Sequence, residues 1–357
     1  MFEELKGVPR LLMHVELKPI QGDRFQPTGF ADLGAAVYER PDGKRMLLVE
    51  SAQSMANRLE QTCINGQGSD LVPELNGLPY VVANLTGTDE LKLQARTSSL
   101  VEPHRLNSPF ILEGKLSGDS KRFGERLLEQ IAYSNGSPID WQKVASALFL
   151  YDPNSLLHGI FLAHPRLEAG RVRTPRALSA FIEAEDVREV SSGGVKNSAL
   201  DPTGKIRVVG DEKNDVYGNV PYHRTEYTGN KITAYFNFDL ALLRGYSLPE
   251  AALEVLVALA LYKVSRFLGI GLRLRTACDL RVSGEIQVEE PKGFSFPAEP
   301  ELLKAVQQGI AKCSKAGLFA RPAVTELTAT VKRVKSKEQG KGGSDDPESD
   351  SSDDDQE

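Results

Sequence analysis

Residues 251–268, AALEVLVALALYKVSRFL, constrain the fold more than any other stretch of the chain. Glu254, Lys263 and Arg266 interrupt the run, so it falls short of the roughly 20 apolar residues that span a bilayer. Its middle is apolar on every side, which suits a helix only when other elements cover it all round. The run therefore predicts a central core helix, opened by a capping box from Ser247 to Glu250 with Pro249 in the first turn, and followed by Gly269. No membrane partner is expected. MFEELKGVPR at the N-terminus lacks a signal-length apolar core, and Cys63, Cys278 and Cys313 are too scattered for a disulfide framework or zinc site. A reducing, cytoplasmic setting is expected.

The elements before this helix show two periods. KITAYFNFDL alternates Ile232, Ala234, Phe236 and Phe238 with polar or amphipathic positions, as LLMHVELKPI does with Met13, Val15 and Leu17, so both predict half-buried strands. RMLLVES predicts another strand and runs straight into AQSMANRLEQ. There Ala52, Met55, Ala56 and Leu59 make one helical stripe, which leaves Gln53, Asn57 and Arg58 facing outward. A strand is expected at 91–96, mostly helix over 120–150, an apolar strand in SLLHGIFLA, and a last helix over about 299–316. Residues 171–222 are rich in glycine and polar residues and longer than a connection in a compact domain, so they predict an insertion projecting from the body. Interleaved strands and helices indicate an α+β domain over residues 1–337.

The net charge of -6 comes from one end. Nine of the 49 acids and one of the 43 bases lie in residues 338–357, which leaves 42 bases against 40 acids in the body. The tail has no apolar residue and is expected to be disordered. The nearly neutral body does not argue against nucleic acid, since a basic surface can be built locally by clustered arginines.

G-x-S-x-G, H-E-x-x-H, Walker A and C-x-x-C motifs are absent, and the five histidines show no ligand spacing, so no metal and no cofactor is expected. What stands out is a set of basic residues beside turn formers: Arg24 with Gln26, His104 and Arg105 with Asn107, Arg171, Arg173 and Arg176, Lys196, His223 with Arg224, and Arg273 with Arg275. In an extended RVR or RLR segment two guanidinium groups stand about 7 Å apart on one side. Their planar forks match phosphate oxygens. Each arginine taken alone is better explained by an ion pair with a body acid; the set together favours an RNA-binding groove.

KPIQGDRFQPTGFADLGAA, LLVESAQSMANRLE, HRLNSPFI, RTPRALSAFIEA, GGVKN, GNVPYHRTEYT, AYFNFDLALLRGY and GLRLRTACDL together resemble the backbone subunit of the type I-G (earlier I-U) CRISPR surveillance complex, in the RAMP superfamily. The resemblance covers about residues 10–285. It implies a ferredoxin-like, RRM-like palm with inserted segments and a projecting β-hairpin thumb, for which residues 171–222 are the candidate. It further implies that several copies polymerise along one CRISPR RNA in the Cascade complex, beside other Cascade subunits, and that target DNA is met through the guide. Lys196 would sit on the thumb, with Gly193 and Gly194 letting the backbone approach RNA, and Arg24 and Gln26 would hold a guide phosphate. LLMHVELKPI lacks the aromatic pair of an RNP motif, so backbone contact rather than base stacking is expected. Related type III backbone subunits cleave RNA with a loop aspartate and a metal. The alternative reading is therefore a metal-dependent RNA endonuclease using Asp32 or Asp23, although Asp32 between Gly29 and Gly34 equally suits a turn. No catalytic residue is expected on the main reading.

Overall fold

A computed structural model describes residues 2–30, 33–66, 68–88, 91–133, 136–163, 172–206, 209 and 218–333. Alternation in LLMHVELKPI folds as strand β1 (Arg10–Pro19), with Leu11, Met13, Val15 and Leu17 buried. Short strands β2 (Arg24–Phe25) and β3 (Val37–Glu39) precede β4 (Arg45–Glu50), which leads into helix α1 (Ala52–Gln61). Ser51 caps α1, its Oγ accepting from Ser54 N–H, and Met55, Ala56 and Leu59 are buried as the stripe requires.

Residues 62–177 form an insertion with its own small sheet. Strand β5 (Tyr80–Gly87) pairs antiparallel with β6 (Gln94–Ser98). Helices α2 (Phe123–Ile131), α3 (Trp141–Tyr151) and α4 (Asn154–His158) follow, then the hairpin of β7 (Ile160–Leu162) and β8 (Val172–Thr174). SLLHGIFLA thus divides between α4 and β7 instead of forming one strand. Asp152 folds the start back, accepting from Asn154 N–H at 3.1 Å and from Ser155 Oγ at 3.1 Å, and Gly159 breaks the helix at φ 77°.

Strand β9 (Leu178–Glu185) returns to the main sheet with Leu178, Ala180, Ile182 and Ala184 buried. The antiparallel pair β10 (Arg188–Asn197) and β11 (Asn219–Thr228) follows, and β12 (Lys231–Asp239) pairs with both β9 and β1. The hairpin strands therefore occupy 188–197 and 219–228, and the first part of the expected insertion at 171–222 belongs to β8 and to an interior strand of the sheet. Its alternating apolar positions outweigh the polar composition of the rest.

Helix α5 (Glu250–Gly269) is the central helix, with eleven buried side chains. The expected capping box does not form, because the helix begins at Glu250 itself and Ser247, three residues earlier, sits at φ 51° without capping it. Lys263, one of the charges that interrupt the apolar run, is fully buried. Strands β13 (Leu272–Arg275), β14 (Cys278–Val282) and β15 (Gln287–Glu290) come next, then helix α6 (Glu299–Lys315) on α5 and strand β16 (Val324–Val331), which runs parallel to β5 in the insertion's sheet.

The main sheet runs β13-β14-β1-β12-β9-β4-β3, with β15 beside β1 as well. Taken as β1, α1, β9, β12, α5, β14, the chain follows the β-α-β-β-α-β order, and the spatial order of those strands is fourth, first, third, second. That is the ferredoxin-like arrangement, extended by β4 and β3 at one edge, with α1 packed on β9 and against α5. The hairpin grows from the turn between the second and third strands, where Glu185 still pairs with Lys231. All three cysteines are free and buried. Among the described residues, no helix is long and apolar enough to cross a membrane.

Candidate nucleic-acid interface

Glu50, at the end of β4, is fully buried and holds three elements together. Its carboxylate accepts from Ser54 Oγ, from Arg58 Nε at 3.0 Å and from Arg275 Nη2. Arg58 also donates to the carbonyl of Leu274, and Arg275 Nη1 to those of Gln26 at 3.1 Å and Val49 at 3.0 Å. Gln26 N–H in turn donates to the Ala277 carbonyl at 2.8 Å. The loop after β1 is thus clamped from inside by Arg275, while the Gln26 side chain is left for other contacts. Gly29 pairs with Ala35, and a Cβ there would stand 2.8 Å from the Gly34 carbonyl oxygen, so this turn closes only with glycine.

The loop meets the root of the hairpin. Strand β2 pairs with β11 through Phe25 opposite Tyr227 and Arg24 opposite Thr228. Arg24 Nη1 lies 3.2 Å from Glu226 Oε2, and Arg224 Nη1 lies 4.0 Å from Glu226 Oε1. One mostly buried carboxylate therefore faces two guanidinium groups and leaves local positive charge. Between loop and hairpin opens a cleft of about 810 Å³ lined by Gln26, Thr28, Gly29, His223, Arg224 and Arg275 among others, with Glu189 as its acid.

Four expected contact residues, Gln26, His223, Arg224 and Arg275, come together there, and Arg24 stands beside them at the same root. Lys196 is exposed on β10, opposite Val220. Gly193 and Gly194 serve the hairpin itself: a Cβ on Gly194 would meet the Tyr222 side chain at 2.7 to 2.9 Å, and one on Gly193 the Tyr222 carbonyl oxygen at 2.8 Å. Gln53 and Asn57 are exposed on α1 as expected. Arg58 is not outward, because the buried charge of Glu50 turns it inward. Arg273 and Arg275 part company: Arg273 is 82 % exposed with Asp279 at 3.7 Å, whereas Arg275 is drawn into the Glu50 clamp. The pairing of β13 with β14 shifts register between them, which breaks the common face an unbroken strand would give.

A second group gathers in the insertion. Arg105 is bound in bidentate fashion by Glu60, Nε to Oε1 at 2.7 Å and Nη2 to Oε2 at 2.6 Å, and reaches the Gly159 carbonyl at 3.0 Å. Asn107 Oδ1 accepts from Ala163 N–H at 2.8 Å. Both residues thus have structural engagements that sequence could not reveal. His104, Arg173 and Arg176 are exposed, and the Arg173 guanidinium lies 4.6 Å from the centre of the Phe161 ring. Arg171 and Asp32 lie outside the described residues. Asp23 is exposed in the first loop, and among the described residues no three His, Cys, Asp or Glu side chains gather as a metal site.

One feature escaped the sequence reading. His14, Tyr235 and Phe181 are cross-strand neighbours on β1, β12 and β9, and the last two rings stack with centroids 5.0 Å apart. The signal was present in the alternate positions of three separate strands, and only their register brings it together.

Topology and site define a ferredoxin-like palm of the RAMP type, carrying a hairpin between its second and third strands with a cationic cleft at the hairpin's root. The model of the family described as CRISPR-associated protein GSU0053 matches residues 11–189, from β1 to the start of the hairpin, and the chain belongs to that family. Its structure is similar to a chain of a "CRISPR RNA-guided surveillance complex, pre-nicking", at 12 % identity and TM-score 0.39, over 86 % of this chain and 87 % of that one. It is also similar to Csc2 of Thermofilum pendens, at 9 % identity and TM-score 0.30, over 86 % and 77 % of the two chains. None of the curated proteins compared with it matches.

Proposed function

We propose that this protein is the CRISPR RNA-binding backbone subunit of a type I Cascade complex, and that it acts in the cytoplasm. It holds guide phosphates without turnover, polymerises in several copies along one guide, and presents the bases for pairing with target DNA. The observation that carries the reading is the cleft at the hairpin root, lined by Gln26, His223 and Arg224 with Glu189 as its acid, beside which Arg24 and Arg224 share the one carboxylate of Glu226. Guanidinium and amide groups of this kind bind phosphate oxygens and carry no base information. Sequence is then read by Watson–Crick pairing of the guide, beside other Cascade subunits that complete the complex.

Sequencing the RNA that co-purifies with the protein from its native host tests this. A population of repeat-derived guides is expected. A profile that follows total cellular RNA would contradict it.

A further inference from the structure

A second cavity of about 620 Å³ opens in the insertion, with His104, Arg173 and Arg176 among its lining residues and no carboxylate among them. Arg105 also borders it but is already engaged by Glu60 and the Gly159 carbonyl. Among the described residues, neither Arg173 nor Arg176 has an ion-pair partner. Stacking on Phe161 fixes Arg173 while its N–H edge stays available to an acceptor.

His158 lines the same cavity and is 1 % exposed. Its Nε2 lies 2.7 Å from Nζ of Lys263, which also donates to Asn154 Oδ1 at 2.5 Å. With Nζ as donor, Nε2 must accept, and the ring proton of neutral imidazole then resides on Nδ1. Burial first, and then the charges of Lys263, Arg105 and Arg176, hold the His158 pKa well below its ordinary value, so the ring stays neutral. Nδ1 is buried and has no hydrogen-bond partner among the described residues. A buried donor without an acceptor is rare in folded proteins, and here it sits at the wall of a cationic cavity.

We propose that this cavity binds a phosphate group of the RNA chain, taken by Arg173 and Arg176, with the Nδ1–H of His158 donating directly or through one water. The assignment rests on the RNA-binding reading above and adds a subsite separate from the hairpin root. Arg105 is a positioning residue here: its bond to the Gly159 carbonyl fixes the backbone beside His158.

The test uses the full chain, a uridine homopolymer RNA, and affinity measured across a range of salt concentrations. Arg173→Ala and Arg176→Ala are chosen because both side chains are exposed and neither has an ion-pair partner among the described residues. Each is expected to flatten the slope of log affinity against log salt by about 0.7, the value for one released counterion on single-stranded nucleic acid, with an unchanged melting temperature. Arg176→Lys should restore most of the slope. If the wild-type protein binds RNA and both alanine variants keep its slope, the inference falls and the proposed function stands. If the wild-type protein binds no RNA, the proposed function falls and the inference with it.

Discussion

At the scale of single residues, arginines of similar sequence context have opposite fates. Arg275 and Arg58 share the buried Glu50 carboxylate, so removing that acid leaves two partly buried guanidinium groups without a counter-charge. Breaking a buried pair in this way costs about 3 to 5 kcal/mol. Glu50→Ala is therefore expected to lower the unfolding free energy by about 3 kcal/mol in urea denaturation, with little change in the denaturant slope. Arg273→Ala, at an 82 % exposed site, should change stability by less than about 0.5 kcal/mol and, on the RNA-binding reading, flatten the RNA salt slope by about 0.7. Equal stability losses in the two variants would contradict the assignment of one arginine to the interior and the other to the surface. The sequence showed where arginines cluster. It could not show which are neutralised, because Arg275, Arg105 and Arg24 lie 225, 45 and 202 residues along the chain from Glu50, Glu60 and Glu226, which hold them.

Asp152 gives a pH test at the same scale. Burial, and secondarily the charge of Glu60, pushes its carboxyl up to about 6 from an ordinary value of 3.8. A raised acid pKa means that the folded state binds the proton more tightly than the unfolded chain, so this group stabilises the fold most below pH 4. The contribution fades as pH rises toward 6 and is gone above it. Asp152→Asn should remove this decline, so the stability difference between variant and wild type should shift by on the order of 2 to 3 kcal/mol in the variant's favour between pH 4 and 7. Parallel stability curves across that range would show that Asp152 titrates normally.

At the scale of elements, the hairpin is the part whose boundaries composition obscured. RALSAFIEA carries the alternation of an interior strand, yet it adjoins a glycine-rich polar run, and the expected insertion absorbed both. The strands β1 and β12 and the helix α1 were legible from period, and α5 from its long apolar run, because each buries a continuous apolar set. β5 was not foreseen, since YVVANLTG is an apolar run without alternation, and its partner β16 lies far along the chain. The hairpin root packs Tyr227 beside Phe25, but its distal half exposes Val195, Val220 and Tyr222. Gly194→Val should push the Tyr222 ring aside and leave the palm's melting temperature within about 2 °C of wild type, because the ring is half exposed and outside the core. On the backbone-subunit reading, the variant should fail to form ordered assemblies on RNA, as seen by negative-stain microscopy. Normal assemblies would separate the hairpin from any role in polymerisation.

At the scale of the whole molecule, charge is divided between a body near neutrality and an acidic tail whose residues lie outside those described. Residues 338–357 contain no apolar side chain that could join a core. Truncation after residue 337 is expected to leave the melting temperature unchanged and to tighten RNA binding at low salt, because it removes negative charge that repels phosphates. Weaker binding after truncation would assign the tail a direct part in assembly. Most of the palm could be inferred from alternating strands and one core helix. The candidate site was legible only as a list of residue types, since the loop after β1 and the root of β11 meet through strand pairing that no local pattern reveals.

The central claim is that this palm coats RNA through its backbone, copy after copy, without regard to base sequence. Native mass spectrometry of the protein on RNAs of increasing length and unrelated sequence tests it most directly. The number of bound copies should rise stepwise with RNA length and be the same for every sequence at a given length. A fixed single copy at all lengths, or occupancy that depends on sequence, would contradict the account.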